Sequence, residues 1–328
     1  MRRHSITPRF ISFDIASPWA TDAGLEHVSH LANLTTLRLD NTQITDAGLA
    51  VLGQIKSLTS LSLRKTEFTG VGFNVLGEFK HLTEIDVFGT ALTDSGMKNL
   101  GKLTNLNSLN LGFTKITDAG LKDLGELSQL TELHLTGTSI TDGGIHELRG
   151  FKNLTRLYLS NANVTDSGLK ELCEHHNLTQ LSLSKTEITD AGLKNLSELE
   201  NLTSLNLDST KITDAGVEAL RGLTNLTQLG LSKTEITDVG LKNLSELENL
   251  MSLDLGSTKI TDAAQKYLRG FAKLKYLNLA NTEVSDVSLT ELREVVSLST
   301  LDIRHTKVTK EGCQELKKSL PKILILNF

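Results

Sequence analysis

The chain is poor in the residues that usually furnish active sites and membrane anchors. Only 4% of its 328 residues are aromatic, so any core must be aliphatic, and leucine dominates it. There are two cysteines, Cys173 and Cys313, 140 residues apart. That number and spacing do not form a disulfide framework, and a reducing compartment, the cytoplasm, is the expected setting. No apolar run approaches the roughly 20 residues of a membrane span, so no membrane partner is expected. The opening MRRHSITPRFISFDIASPWA is basic, but Asp14 interrupts it and no continuous apolar stretch follows. It does not read as a signal peptide. Neither sign of charge dominates: 34 basic against 39 acidic side chains leave a net −5. That balance gives no global attraction to nucleic acid. A Gly-rich phosphate loop is also missing, as is a basic patch interleaved with aromatics, so no cofactor is expected.

What is present is a period. Leu34, Leu58, Leu82, Leu106, Leu130 and Leu154 stand 24 residues apart, and the series continues through Leu178 to Leu298. The aligned unit is L-T-x-L-x-L-x-x-T-x-I-T-D-A-G-L-x-x-L-x-x-L-x-N. A weaker copy, with Phe10, Phe13 and Ile15, precedes the first. Residues 177–224 recur almost unchanged as residues 225–272, two periods on. No linker interrupts the series. One domain is expected over 1–328, with a cap over 1–33, about 13 repeats from Phe10 and a terminal strand over 323–328.

Each unit changes rhythm. L-x-x-L-x-L ends with period-2 character and predicts a short strand. Thr-Asp is a helix-start signal in which one side chain supplies the N-cap oxygen. L-x-x-L-x-x-L then places its leucines on one helical face. A single unit cannot bury its own leucines. Stacked neighbours put the strands in one parallel sheet and the helices outside it, over a continuous core.

The unit resembles the leucine-rich repeat over Phe10 to Phe328. It is most similar to the ribonuclease-inhibitor-like and cysteine-containing classes, and to the 24-residue repeats of bacterial GALA-type proteins. The resemblance implies a right-handed α/β solenoid, a horseshoe with a concave parallel sheet, that binds another protein and is not an enzyme. The chain departs from the family at the ladder position, where Thr42, Thr66, Thr90 and their successors to Thr306 replace the usual Asn or Cys, with Ala162 as the gap. A buried hydroxyl needs a partner, and the backbone of a neighbouring turn is the expected one. The Gly of Asp-Ala-Gly, such as Gly120 or Gly192, is expected to allow close helix packing. The Asn before each strand is expected to hold the turn.

Function must use positions that packing leaves free. On the strands these are mostly small and polar, but four successive repeats carry Glu84, Asp86, Phe88, Phe113, Glu132, His134, Arg156 and Tyr158. Strands about 4.8 Å apart gather them within roughly 15 Å. Aromatics, an arginine and carboxylates are the residue types that anchor interfaces. The competing expectation is that Phe88 and Phe113 tuck into the core. Beyond this stretch, Glu187, Lys211, Glu235, Lys259, Glu283 and Lys307 set opposite charges side by side. His134 near Glu132 and Asp86 could suggest acid-base or metal chemistry, but no nucleophile stands beside them and an open face excludes no water. No catalytic residue and no metal site is expected.

At the ends, Phe10, Phe13, Ile15, Pro18 and Trp19 are expected to cap the core, and Cys173 and Cys313 to face inward. The apolar LPKILILNF leaves an edge strand that can pair with a second copy. The first reading is a scaffold for an unknown protein partner. Alternatives are an adaptor in ubiquitin-type turnover or a bacterial effector lacking its F-box-like part, and a purely structural repeat protein.

Overall fold

The computed structural model describes residues 11–15 and 17–327, and it divides into two compact units, Met1–Thr155 and Arg156–Phe328. Phe10 lies outside the described residues. In the first unit six strands follow one another as parallel neighbours: β1 (Ile11–Asp14), β2 (Leu34–Arg38), β3 (Ser60–Ser62), β4 (Glu84–Asp86), β5 (Ser108–Asn110) and β6 (Glu132–His134). The second unit continues the pattern with β7 (Arg156–Tyr158), β8 (Gln180–Ser182), β9 (Ser204–Asn206), β10 (Gln228–Gly230), β11 (Ser252–Asp254), β12 (Tyr276–Asn278), β13 (Thr300–Asp302) and β14 (Leu324–Leu326). Residues one period apart are in register, as at Glu84, Ser108 and Glu132. The middle residue of a strand is buried and its neighbours face out: Ile85, Leu109 and Leu133 are at most 1% exposed. This is the period-2 alternation of a half-buried strand.

Between strands the chain turns into a short helix, such as Asp118–Lys122 or Asp190–Leu196. The Thr of Thr-Asp is its N-cap; Thr189 Oγ1, for example, accepts the Ala191 N–H. The Asp has a second task that the spacing alone did not reveal. Asp166 reaches into the next repeat and accepts both the N–H (2.8 Å) and the hydroxyl (2.6 Å) of Thr189. Asp22, Asp46, Asp94 and Asp118 do the same in the first unit, and Asp190 through Asp286 in the second. The Gly of Asp-Ala-Gly leaves room for this carboxylate: a Cβ on Gly192 would lie 2.3 Å from Asp166 Oδ1. Where Ser288 takes that place, its hydroxyl donates to Asp262 at 2.6 Å. Lys310 takes the place of the Asp in the final helix, and an earlier repeat breaks the pattern altogether. Gly70, at φ +98°, replaces the Asp, the segment Val71–Glu78 winds as a 3-10 helix, and the Thr93 hydroxyl pairs with Ser95 instead.

The threonine ladder is buried, but its partner differs from expectation. Thr114 Oγ1 donates to Leu111 O at 2.6 Å, and Thr42, Thr186 and Thr234 repeat the bond to the carbonyl three residues back. The hydroxyl thus closes a turn within its own repeat, because the residue before it is left-handed. Asn41, Lys65, Gly89, Phe113, Gly137, Asn161, Lys185, Ser209, Lys233, Ser257, Asn281 and His305 all have φ between +51° and +70°. Where an Asn precedes a strand it does hold the turn, and the turn is the previous repeat's: Asn153 donates to Ser128 O and Asn201 to His176 O.

Two further expectations are corrected. Trp19 is 83% exposed and Phe13 38%, so neither is buried as a cap. Cys313 is buried, whereas Cys173 is only half-buried at a helix C-terminus and donates to Lys170 O. The flank charges form separate exposed pairs, Glu187 with Lys211, Glu235 with Lys259 and Glu283 with Lys307. β14 pairs with β13, and its Leu324 is exposed.

Candidate functional site

The open face of β4, β5 and β6 carries two rows of side chains. One reads Glu84, Ser108, Glu132; the next reads Asp86, Asn110, His134. In the first row the short Ser108 is flanked by two glutamates. His134 Nε2 lies 2.7 Å from Glu132 Oε1. Asp86 accepts the Phe88 N–H at 3.0 Å, and the Arg64 guanidinium stands 3.7 Å away. Burial nevertheless pushes the Asp86 carboxyl above its ordinary range, against the pull of that hydrogen bond and of Arg64. Glu84 is exposed and has no ion pair among the described residues.

Phe88 and Phe113 lie just beyond the strand ends and outside the core. Their rings meet edge to face, with centroids 5.1 Å apart. Arg64 covers Phe88 with its guanidinium 4.9 Å from the ring centroid. Phe113 is 52% exposed and occupies the left-handed position of its repeat, φ +54°. That backbone turns its side chain outward and is costly for a bulky residue. Two glycines make space for the rings. A Cβ on Gly112 would lie 3.0 Å from Phe88 Cδ2, and one on Gly137 2.7 Å from Phe113 Cε1. Arg64, Phe88 and Phe113 therefore form a continuous stacked rim beside the carboxylate rows. Arg64 and Phe88 of the rim and the two rows line an open depression of about 440 Å³.

Six of the eight residues singled out by sequence, Glu84, Asp86, Phe88, Phe113, Glu132 and His134, thus share one face of the first unit. Arg156 and Tyr158 stand on β7 of the second unit, where the Tyr158 hydroxyl donates to Gln180 Oε1 at 2.8 Å. Arg64 escaped sequence reading because it follows the strand, at the position that Phe88 fills one period later. Among the described residues no group of three or more His, Cys, Asp and Glu side chains is placed to hold a metal ion.

Comparison with known proteins agrees with this architecture. Family models described as leucine rich repeat match residues 30–53, 80–101, 102–125, 127–148 and 152–173, and 176–236, 200–260 and 248–308. Together they cover most of the chain, which belongs to the leucine-rich-repeat proteins. Its fold is their α/β solenoid. Among solved structures it is similar to an internalin (inlF) from Listeria monocytogenes, at 25% identity and a TM-score of 0.71, over 93% of this chain and 82% of that one. A leucine-rich-repeat protein of Leptospira interrogans shares the fold at 20% identity and a TM-score of 0.50, over 91% of both chains. No curated protein sequence matches significantly. No described helix is long and apolar enough to cross a membrane.

Proposed function

We propose that the chain is a non-enzymatic scaffold that binds another protein on the open face of β4 to β6, with Phe88 and Phe113 as anchors. The observation that carries this reading is the aromatic pair itself, held outside the core. Aromatic side chains are among the scarcest in the chain, yet two are held together outside the core, Phe88 half-buried and Phe113 exposed on backbone that disfavours it. Neither ring is needed by the core, and aromatic residues and arginine are the side chains most often found at the energetic centre of interfaces. Leucine-rich-repeat proteins are typically interaction modules, which supports the same reading. Two free cysteines fit the cytoplasm as its compartment.

The test is affinity capture from lysate of the source cells, with wild type beside a Phe88→Ala/Phe113→Ala variant of matched circular dichroism. The expected result is a protein retained by wild type and lost from the variant. Equal retention by both baits would move the site off this face.

A further inference from the structure

We infer that the first unit has a built-in opening point: the coil up to Glu78 parts from the coil that follows as one cooperative block, and Arg64 is the latch that holds it closed. Where repeats touch only their neighbours, stability is a sum of nearest-neighbour terms, and opening concentrates at the junction where those terms are smallest. Two kinds of side-chain tie recur between successive turns of the coil. After the strand, a carboxylate accepts the N–H and hydroxyl of the next repeat's threonine, Asp46 from Thr69 and Asp94 from Thr117. Before the strand, a short polar side chain donates to a carbonyl one repeat back, Ser57 to Leu34 O and Asn105 to Lys80 O.

Both ties are missing together where the coil up to residue 78 meets the coil from residue 79 on. Gly70 has no carboxylate to offer Thr93, whose N–H is left with a 3.4 Å bond to Thr69 O and whose hydroxyl turns to Ser95. His81 takes the Asn place before β4 and makes no such bond among the described residues. Gln129 also departs from the Asn pattern and reaches Ser128 instead, but there Asp118 still ties Thr141. The loss at Gly70 is the weightier one, because hydrogen bonds to a charged acceptor are the stronger kind. An aspartate cannot be put back: a Cβ on Gly70 would lie 2.4 Å from Leu92 Cδ1, on backbone at φ +98°.

The β3–β4 ladder is continuous across this junction, and on the open face one long side chain spans it. Arg64 lies before the cut, and both its partners lie beyond it. Its guanidinium sits 4.9 Å from the Phe88 ring centroid and 3.7 Å from Asp86, so a cation–ring contact and an ion pair close the junction where the usual ties are absent. Opening withdraws Arg64 from Phe88 and takes the rim apart. The binding face proposed above is therefore complete only while the junction is closed; that consequence rests on the proposed face, and the opening itself does not.

The experiment is amide hydrogen exchange followed by mass spectrometry on the full chain without any partner, for wild type, Arg64→Ala and, as a control on the flank of the same unit, Lys115→Ala. In wild type the amides of β2 and β3 are expected to share one protection factor, at least tenfold below that of β5 and β6. Arg64→Ala should lower β2 and β3 together by threefold or more and leave β5 and β6 unchanged, while Lys115→Ala changes neither pair. Protection that rises evenly from β2 to β6, as in simple fraying from the end, would overturn the block. An Arg64→Ala variant that alters only the amides beside residue 64, or none, would overturn the latch. Neither result bears on the binding face, which affinity capture tests separately.

Discussion

The strands β4 to β6 and β8 to β11 are built on one plan and decorated on two. Both have the buried middle residue, the carboxylate passed from repeat to repeat, the left-handed residue and the threonine that closes its turn. Yet the outward positions of β8 to β11 read Gln180, Ser182, Ser204, Asn206, Gln228, Gly230, Ser252 and Asp254, with no aromatic or basic side chain among them. Those beyond the strand ends read Ser184, Lys185, Asp208, Ser209, Ser232 and Lys233, where the first unit has Arg64, Phe88 and Phe113. Since the framework is the same, the decoration of β4 to β6 is not required by folding. The difference separates two sets of positions. One keeps the repeats stacked and is constant, and the other is free to recognise a partner and varies.

Substitutions should separate along the same line. The largest effect is expected inside the framework, at Gly101, where a Cβ would lie 2.0 Å from the carbonyl oxygen of Asp123. Backbone cannot yield as a flexible side chain can, so Gly101→Val should cost 3 kcal/mol, very roughly, or prevent folding, read as the midpoint of urea unfolding. Next is Asp190→Ala, in the duplicated block. It deprives the Thr213 N–H (2.8 Å) and hydroxyl (2.6 Å) of their acceptor. A loss of about 1–3 kcal/mol is expected in the same measurement.

On the open face the balance reverses. Phe113→Gly removes one ring of an edge-to-face pair worth about 0.5–1.5 kcal/mol and relieves left-handed backbone strain of about 1–2 kcal/mol. Stability should stay within about 1 kcal/mol of wild type while partner affinity falls tenfold or more. The smallest effect belongs to the flank. Glu187→Gln breaks one exposed ion pair with Lys211 and should change stability by a few tenths of a kcal/mol, about as much as noise.

Acid should also act differently on the two regions. Asp86 in the first unit has a raised pKa because burial disfavours its charge. Any affinity that depends on the Asp86 charge is therefore lost as pH falls through that raised value, above the range where an ordinary carboxylate protonates. At the far end of the second unit, hydrogen bonds from Arg304 lower the pKa of Asp302. Its folded value lies below its unfolded one, so it contributes stability at neutral pH that is lost as pH falls through the depressed value. Titrating partner affinity and urea midpoint side by side should show affinity failing first, and Asp302→Asn should flatten the acid limb of the stability curve.

The repeat, its strand and its helix start were legible because packing imposes a fixed period on leucine, threonine and aspartate. The left-handed position was not, because glycine, the usual marker of positive φ, fills it only at Gly89 and Gly137. Asn41, Asn161 and Asn281, each just before a ladder threonine, carried a fainter signal of the same thing. Without that position, the threonine hydroxyl was assigned to a neighbouring turn rather than its own. It also explains why Phe113 cannot tuck into the core. The site was half legible for a related reason. Strand alternation identifies Glu84, Asp86, Glu132 and His134, but the stacking of Arg64 on Phe88 depends on how each turn leans on the next repeat. Trp19 and Cys173 misled because hydrophobic character alone does not determine burial near a chain end or at a helix C-terminus.

The most direct test is the affinity of the captured partner for a Phe88→Ala/Phe113→Gly variant, measured by calorimetry under conditions where urea unfolding shows both proteins fully folded. The account predicts binding at least tenfold weaker than wild type with the second unit untouched. Unchanged affinity would contradict it, and would mean that the exposed rings of β4 to β6 are decoration without a partner.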